Sequence, residues 1–385
     1  MCRKNGISAG VSVRFTVYRK RFIGERDEKM KQITIAVIFG GCSSEYSISL
    51  ESAHAVITHM DRERYRPLPV GITRKGRWLA YFGETGKIAD DTWHQDESCV
   101  PAAYSPDRGD HSLLLFRGQE TDRISIDAVF PVLHGKNGED GTIQGLFELT
   151  GTPLIGCGTL SSALCMDKDR AHRLVSSAGV DVPRSFLLGR TDDPDEAVCR
   201  AEELGFPVFV KPVKAGSSYG ITKVPSPEFF GPAVAEAFLY DDQVIVEETI
   251  PGFETGCAVM GNEDLITGEI DEIELQDGFF DFTEKYNLIT SSIHVPARIT
   301  PEQSQKLKDT AKRIYRALGC SGFARVDMFL TPEGRIVFNE VNTIPGFTAH
   351  SRFPNMMKAA GMTFDEIISR AVELALEKQT GGILQ

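Results

Sequence analysis

The chain has 385 residues, 41% apolar and 25% charged, which is ordinary globular composition, long enough for more than one core and incompatible with disorder as the main state. Its formal charge is −12; outside residues 1–29, which hold 8 basic and 3 acidic residues, 34 basic and 51 acidic residues leave −17, which argues against a nucleic-acid partner. The 8 cysteines are scattered without a CxxC pair, as expected of reduced thiols in a cytoplasm, and no apolar run approaches the length of a membrane span.

Residues 1–29 lack the apolar core and cleavage site of a secretory signal and read as a leader outside the fold. From Met30 to about residue 152 the pattern is α/β. A core strand at Ile33–Phe39 runs into Gly40-Gly41-Cys42-Ser43-Ser44-Glu45 and a helix at Ser49–Met60. A strand follows at Tyr65–Ile72, and residues 83–112 read as a polar insertion or loop. The strand Asp127–Leu133 ends in His134-Gly135-Lys136-Asn137-Gly138-Glu139-Asp140-Gly141, and a helix spans Thr142–Thr150. Strand, glycine-rich loop and helix present ligand-binding atoms at the carboxyl edge of a parallel sheet. Gly40–Glu45 lacks the GxGxxG spacing, which disfavours a dinucleotide enzyme. Glu45 and His134 both lie just beyond strand ends, where a small substrate would sit; His134 stands equally as a structural histidine.

A middle region, about 153–251, reads as α+β. A helix over Ser161–Ala178 carries Met166-Asp167-Lys168, and a strand at Phe206–Lys211 meets Ala215-Gly216-Ser217-Ser218-Tyr219-Gly220. Such a loop, free of Cβ bulk at both ends, can wrap its N–H groups around phosphate oxygens, with Lys168 and Lys211 as candidate cations; alone it would read as a hairpin turn. The strand Gln243–Thr249 carries Glu247 and Glu248, which could hold an adenine edge, and Glu254 could take a ribose hydroxyl, although strand ends often carry solvated acids.

The last region, 252–385, opens with strands at Thr255–Met260 and Leu265–Ile273, then a polar loop at 275–292, a helix at 301–318 and a hairpin, and it closes with a helix at Thr363–Glu377. In the hairpin, Phe323–Leu330 and Arg335–Asn342 flank Thr331-Pro332-Glu333-Gly334. Centring the turn near Glu333 sets Asp327 opposite Glu340 and Arg325 opposite Asn342, all on one face with Phe329 and Phe338. Facing carboxylates call for a cation, and Asp, Glu and Asn are hard oxygen donors suited to Mg²⁺ or Mn²⁺.

These motifs, with Arg325-x-Asp327 and Asn339-Glu340-Val341-Asn342-Thr343-x-Pro345-Gly346, resemble D-alanine–D-alanine ligases of the ATP-grasp superfamily from Met30 to the C-terminus. Cys165–Lys168 and Ser351–Met357 look most like the vancomycin-resistance branch, especially its D-Ala–D-Ser members. The resemblance implies three domains (30–152, 153–251 and 252–385), a bacterial cytoplasmic enzyme of peptidoglycan synthesis, ATP as co-substrate, two Mg²⁺ (or Mn²⁺) ions and a homodimer. It assigns ATP to Lys168, Lys211, Gly216, Ser217, Ser218, Glu247, Glu248, Ile250, Glu254 and Lys285, and metal to Asp327, Glu340 and Asn342. By the same resemblance Glu45 binds the ammonium of the first D-alanine, Arg325 and the Gly346 amide stabilise the oxyanion, and Ser351 takes the second substrate's carboxylate; His134 is expected among the substrate-binding residues. Glu284-Lys285-Tyr286 lies in a candidate lid, Gln276–Ser292, where Tyr286 would link through Ser217 to Glu45. Family members that use D-lactate lack this tyrosine, so a D-amino acid is expected: D-Ser by branch resemblance, with D-Ala the alternative. Another carboxylate–amine ligase and a non-catalytic ATP-binding protein are the competing readings.

Overall fold

A computed structural model describes residues 32–216, 219–275, 291–348 and 350–380. The expectations for the leader, for Ser217, Ser218, Lys285 and Tyr286, and for nearly all of the candidate lid fall outside them.

The first sheet contains β1 (Ile33–Gly40), β2 (Tyr65–Ile72), β3 (Trp78–Ala80), β4 (Val100–Tyr104), β5 (Ser112–Arg117), β6 (Glu120–Ser125) and β7 (Ala128–Val132), in the order β6-β5-β4-β3-β2-β1-β7. Only β2, β1 and β7 are parallel. The remaining strands pair antiparallel; the links β2–β3, β4–β5 and β5–β6 are too short for the crossover a parallel neighbour needs. The expected parallel sheet is thus mixed, and part of the expected 83–112 loop is β4. β1 is buried on both faces, which explains its unbroken apolar run.

The second sheet holds β8 (Ser185–Gly189), β9 (Val208–Pro212), β10 (Thr222–Val224) and β11 (Gln243–Glu248), ordered β10-β9-β11-β8, with its own core around Val208, Val210, Val244 and Phe230. The single helix expected over Ser161–Ala178 is two, Thr159–Met166 and Lys168–Ser177. Asp167 breaks it: its extended backbone ends one helix, and its carboxylate caps the next by accepting from the Arg170 N–H at 3.0 Å. Lys168 therefore opens a helix instead of sitting inside one.

The third sheet contains β12 (Phe253–Gly261), β13 (Ile266–Thr267), β14 (Asp271–Leu275), β15 (Ser291–His294), β16 (Gly322–Leu330) and β17 (Ile336–Asn342). Its order is β15-β14-β12-β16-β17, with β13 on β12. The expected register is observed: Asp327 faces Glu340 and Arg325 faces Asn342. Between Asp327 and Met328 the ladder slips by one residue, so Met328 pairs with Phe338 and Asn339 is the bulge. Past a bulge, side-chain parity reverses. Phe338, expected beside the acids, is instead fully buried in the core with Met328 and Val326.

A cluster of aromatic rings joins the first and third sheets. Phe130 of β7 meets Phe323 of β16 and Phe347 with ring centroids 6.1 and 5.7 Å apart, and Phe347 packs on Phe323 and Phe353 at 5.2 and 5.5 Å. Each such buried ring contributes roughly 1.5–3 kcal/mol. This packing sets the loops after β1 and β7 against the end of β17.

Candidate active site

Two cavities lie along the third sheet. One, about 300 Å³, is lined by Glu45, His134, Glu139, Gly216, Arg325, Glu340, Asn342, Gly346, Ser351 and Arg352. The other, about 390 Å³, is lined by Lys168, Lys211, Glu247, Glu248, Ile250, Glu254, Phe329, Asn339 and again Glu340. Glu340 is common to both.

In the larger cavity, Lys211 Nζ donates to Glu247 Oε2 at 2.6 Å, and Lys168 Nζ donates to the Ala215 carbonyl at 2.8 Å and stands 4.0 Å from Glu340. Burial alone would raise the Glu247 pKa, but the charge and hydrogen bond of Lys211 overcome it and hold the carboxyl below its usual range. Two lysines, one of them bonded to Ala215 at the start of the glycine loop, and an apolar wall of Ile250, Phe253 and Phe329 suit a nucleotide's phosphates and base. Glu248 is paired with Arg184 at 2.8 Å, and Glu254 with Arg352 at 3.1 Å.

The smaller cavity is built around Glu45. Gly135 has φ +71°, and a Cβ there would lie 2.4 Å from Glu45 Oε2; a Cβ on Gly216 would lie 3.3 Å from the same oxygen. The glycine loop of the second sheet thus reaches Glu45. His134 is buried with both ring nitrogens engaged, Nδ1 with the Ile344 carbonyl at 3.0 Å and Nε2 with Ser52 Oγ at 3.3 Å. A carbonyl only accepts, so Nδ1 carries the hydrogen. Burial pushes the His134 pKa down, against the pull of Glu45. The ring therefore fastens the β7 loop to the segment after β17 while its body walls the cavity. Ser351 Oγ accepts from the Thr348 N–H at 3.0 Å and lies 2.8 Å from the Thr348 hydroxyl, and Gly346 passes so close that a Cβ there would meet Ser351 Oγ at 2.8 Å.

Asp327 lines neither cavity. It is fully buried behind Arg325, which donates to it through Nε at 2.9 and 3.1 Å and Nη2 at 2.7 Å. Asn342 donates to it at 2.9 Å, and Arg352 stands 3.3 Å away. Burial works against both guanidinium charges, but the surrounding aspartates, Asp327 for Arg325 and Asp271 for Arg352, keep their pKa values above the ordinary arginine value.

Sequence reasoning assigned no role to Glu139, Arg352 or Asn339. Glu139 accepts from the Gly135 N–H at 2.8 Å, and burial, then Glu45, push its carboxyl up to about 8. Arg352 bonds Asp271 at 2.7 and 2.9 Å besides Glu254 and Asp327. Glu139 stands inside a quoted motif, so its position was visible although its environment was not; Arg352 gave only the signal of following Ser351.

A nucleotide-type cavity roofed by a small antiparallel sheet, sharing a carboxylate with a second polar cavity, is the arrangement of an ATP-grasp ligase. Two family models match, "D-ala D-ala ligase N-terminus" over residues 34–157 and "D-ala D-ala ligase C-terminus" over 174–373. The chain is 46% identical to the vancomycin B-type resistance protein VanB of Enterococcus faecalis, covering 91% of this chain and 100% of that one. It is 43% identical to the vancomycin/teicoplanin A-type resistance protein VanA of Enterococcus faecium, covering 90% and 100%. Among solved structures, the VanG D-Ala:D-Ser ligase of Enterococcus faecalis superposes with a TM-score of 0.82 at 53% identity, covering 90% of this chain and 100% of that one. The chain belongs to the D-alanine–D-alanine ligase family. Among the described residues, no helix is long and apolar enough to cross a membrane.

Proposed function

We propose that the protein joins D-alanine to D-serine at the expense of ATP, supplying a D-Ala–D-Ser terminus for peptidoglycan precursors of the kind that underlies vancomycin resistance. The sharing of Glu340 between the two cavities carries this reading: it puts the phosphate end of one against the substrate end of the other. The 53% identity to a D-Ala:D-Ser ligase over that protein's full length supports D-serine as the second substrate. So does the polar wall of Thr348, His350, Ser351 and Arg352, where a hydroxyl finds partners. The expected three-domain division, with boundaries near 152 and 251, belongs to the same reading.

A carboxylate is a poor electrophile, so the γ-phosphoryl of ATP passes first to D-alanine, giving an acyl phosphate. Glu45 binds the D-alanine ammonium, and Lys168 and Lys211 hold the phosphates, since catalysis of this step is mostly positioning and electrostatics. Glu340, which lines both cavities, is an oxygen donor suited to Mg²⁺ or Mn²⁺; Asp327 and Asn342, expected as its fellow ligands, are bonded to each other and Asp327 also to Arg325, so they would hold an ion only by giving up those bonds. Such an ion would neutralise charge on the transferring phosphoryl. In the second step the D-serine amine attacks the acyl carbon, and phosphate leaves from the tetrahedral intermediate. Arg325 and the Gly346 N–H stabilise its oxyanion, while Ser351 holds the D-serine carboxylate.

Phosphate release, with the product identified by mass, should be measured for D-alanine with D-serine, D-alanine or D-lactate as partner. D-Serine should give the highest kcat/KM. Preference for D-lactate or D-alanine would sink the assignment of the second substrate, and no release with any pair would sink the ligase reading.

A further inference from the structure

His172 lies one helical turn after Lys168 and lines neither cavity, yet its ring meets residues of two strands, Asn339 and Glu247, that line the nucleotide cavity. Its Nε2 lies 3.2 Å from the backbone carbonyl of Asn339, the bulge residue next to Glu340. A carbonyl has no hydrogen to give, so Nε2 carries it. Nδ1 of the neutral ring is then a lone pair, and it faces Glu247 Oε1 at 3.8 Å. Both atoms are buried and neither has a hydrogen-bond partner. Buried polar atoms are nearly always paired, so two orphans facing each other beside a ligand cavity call for a reason.

We propose that His172 is a positioning residue of the nucleotide site: its Nε2–H pins the Asn339 bulge, and its bare Nδ1 gives Glu247 no second donor, leaving that carboxylate to Lys211. The bulge sets where Asn339 and Glu340 enter the cavity, and the Lys211–Glu247 pair forms the opposite wall. An imidazolium would instead donate to Glu247 and draw it away from Lys211. Burial opposes that charge and keeps the ring below the ordinary histidine pKa, with Lys211 and Lys168 acting in the same sense and Glu247 against them. The edge-on contact of the ring with Phe338, centroids 5.5 Å apart, fixes its plane. A purely structural histidine would contribute this packing and no more.

The test separates the two roles and rests on the ligase reading. His172→Phe keeps the aromatic packing and loses the donor, whereas His172→Asn stays polar but is too short to reach Asn339. His172→Gln places an amide N–H near the position of Nε2. Calorimetric binding of ADP and steady-state KM for ATP should both weaken about fivefold to tenfold in the Phe and Asn variants, the effect of losing one hydrogen bond. In both, the KM for D-alanine should stay within about twofold, and the Gln variant should match the unaltered protein in every respect. Unchanged nucleotide affinity in either folded variant overturns the proposal, as does a Gln variant that is as weak as the Phe variant. If the Phe variant fails to fold, the Asn and Gln pair decides. A lack of ADP binding by the unaltered protein would overturn the ligase reading itself.

Discussion

Arg325 and Asp327, two positions apart on β16 and therefore on the same face, are joined by three N–H···O contacts of 2.7–3.1 Å, with the carboxylate fully buried beneath the guanidinium. The acid expected to hold metal also aims the arginine expected to meet the oxyanion. Asp327→Asn removes the counter-charge of Arg325 and part of that of Arg352. Turnover at saturating substrates should fall roughly hundredfold or more, because misplacing a catalytic group by about 1 Å has that effect. Normal turnover in this variant would overturn both roles.

Arg352 faces three acids, of which Asp271 and Asp327 are fully buried. Removing one member of a buried ion pair costs about 3–5 kcal/mol, so Arg352→Met should lower the thermal midpoint by several degrees. Arg335 pairs with Asp181 on the surface, both more than half exposed, and Arg335→Met should leave the midpoint almost unmoved. Equal shifts in the two variants would contradict the assigned burial.

Gly135 and Gly179 both have left-handed backbones, with φ of +71° and +77°. A Cβ on Gly179 would meet nothing within 4 Å, whereas one on Gly135 would strike Glu45 Oε2. Gly179→Ala should cost only backbone strain, about 1 kcal/mol of stability, with normal kinetics. Gly135→Ala should raise the KM for D-alanine about tenfold or more by displacing Glu45, with the KM for ATP little changed. A Gly135→Ala enzyme with normal D-alanine kinetics would remove Glu45 from the first subsite.

Burial, then Glu45, push the Glu139 carboxyl up to about 8 in the folded protein, from its ordinary value of 4.5. Between these values the native state holds more protons than the unfolded state, so this group makes stability fall as pH rises from about 4.5 to 8. Thermal midpoints taken with chelator present should show Glu139→Gln to be less stabilised at pH 5 than at pH 8.5, relative to the unaltered protein. A difference independent of pH would refute the raised value.

The hairpin register and the strands β1, β2 and β16 were readable because alternation and turn chemistry act over a few residues. The place of Phe338 was not, because one extra residue at Asn339 reverses parity with no local mark in the sequence. The break at Asp167 was hidden because a capping aspartate within a helical apolar pattern looks like an ordinary polar position. β4 was missed because Val100–Tyr104 is short and carries a proline, in a stretch otherwise polar. Glu139 and Arg352 depend on burial and on partners brought in from other segments, Glu45 for the first and Glu254, Asp271 and Asp327 for the second, which no local pattern reports.

Glu340 belongs to the walls of both cavities at once. A single inhibitor could therefore occupy both chambers, with an adenine-like group at one end and an aminoacyl group at the other. Its linker would pass beside Glu340, and a tetrahedral phosphorus at that point would sit where the two steps of the reaction exchange their phosphate.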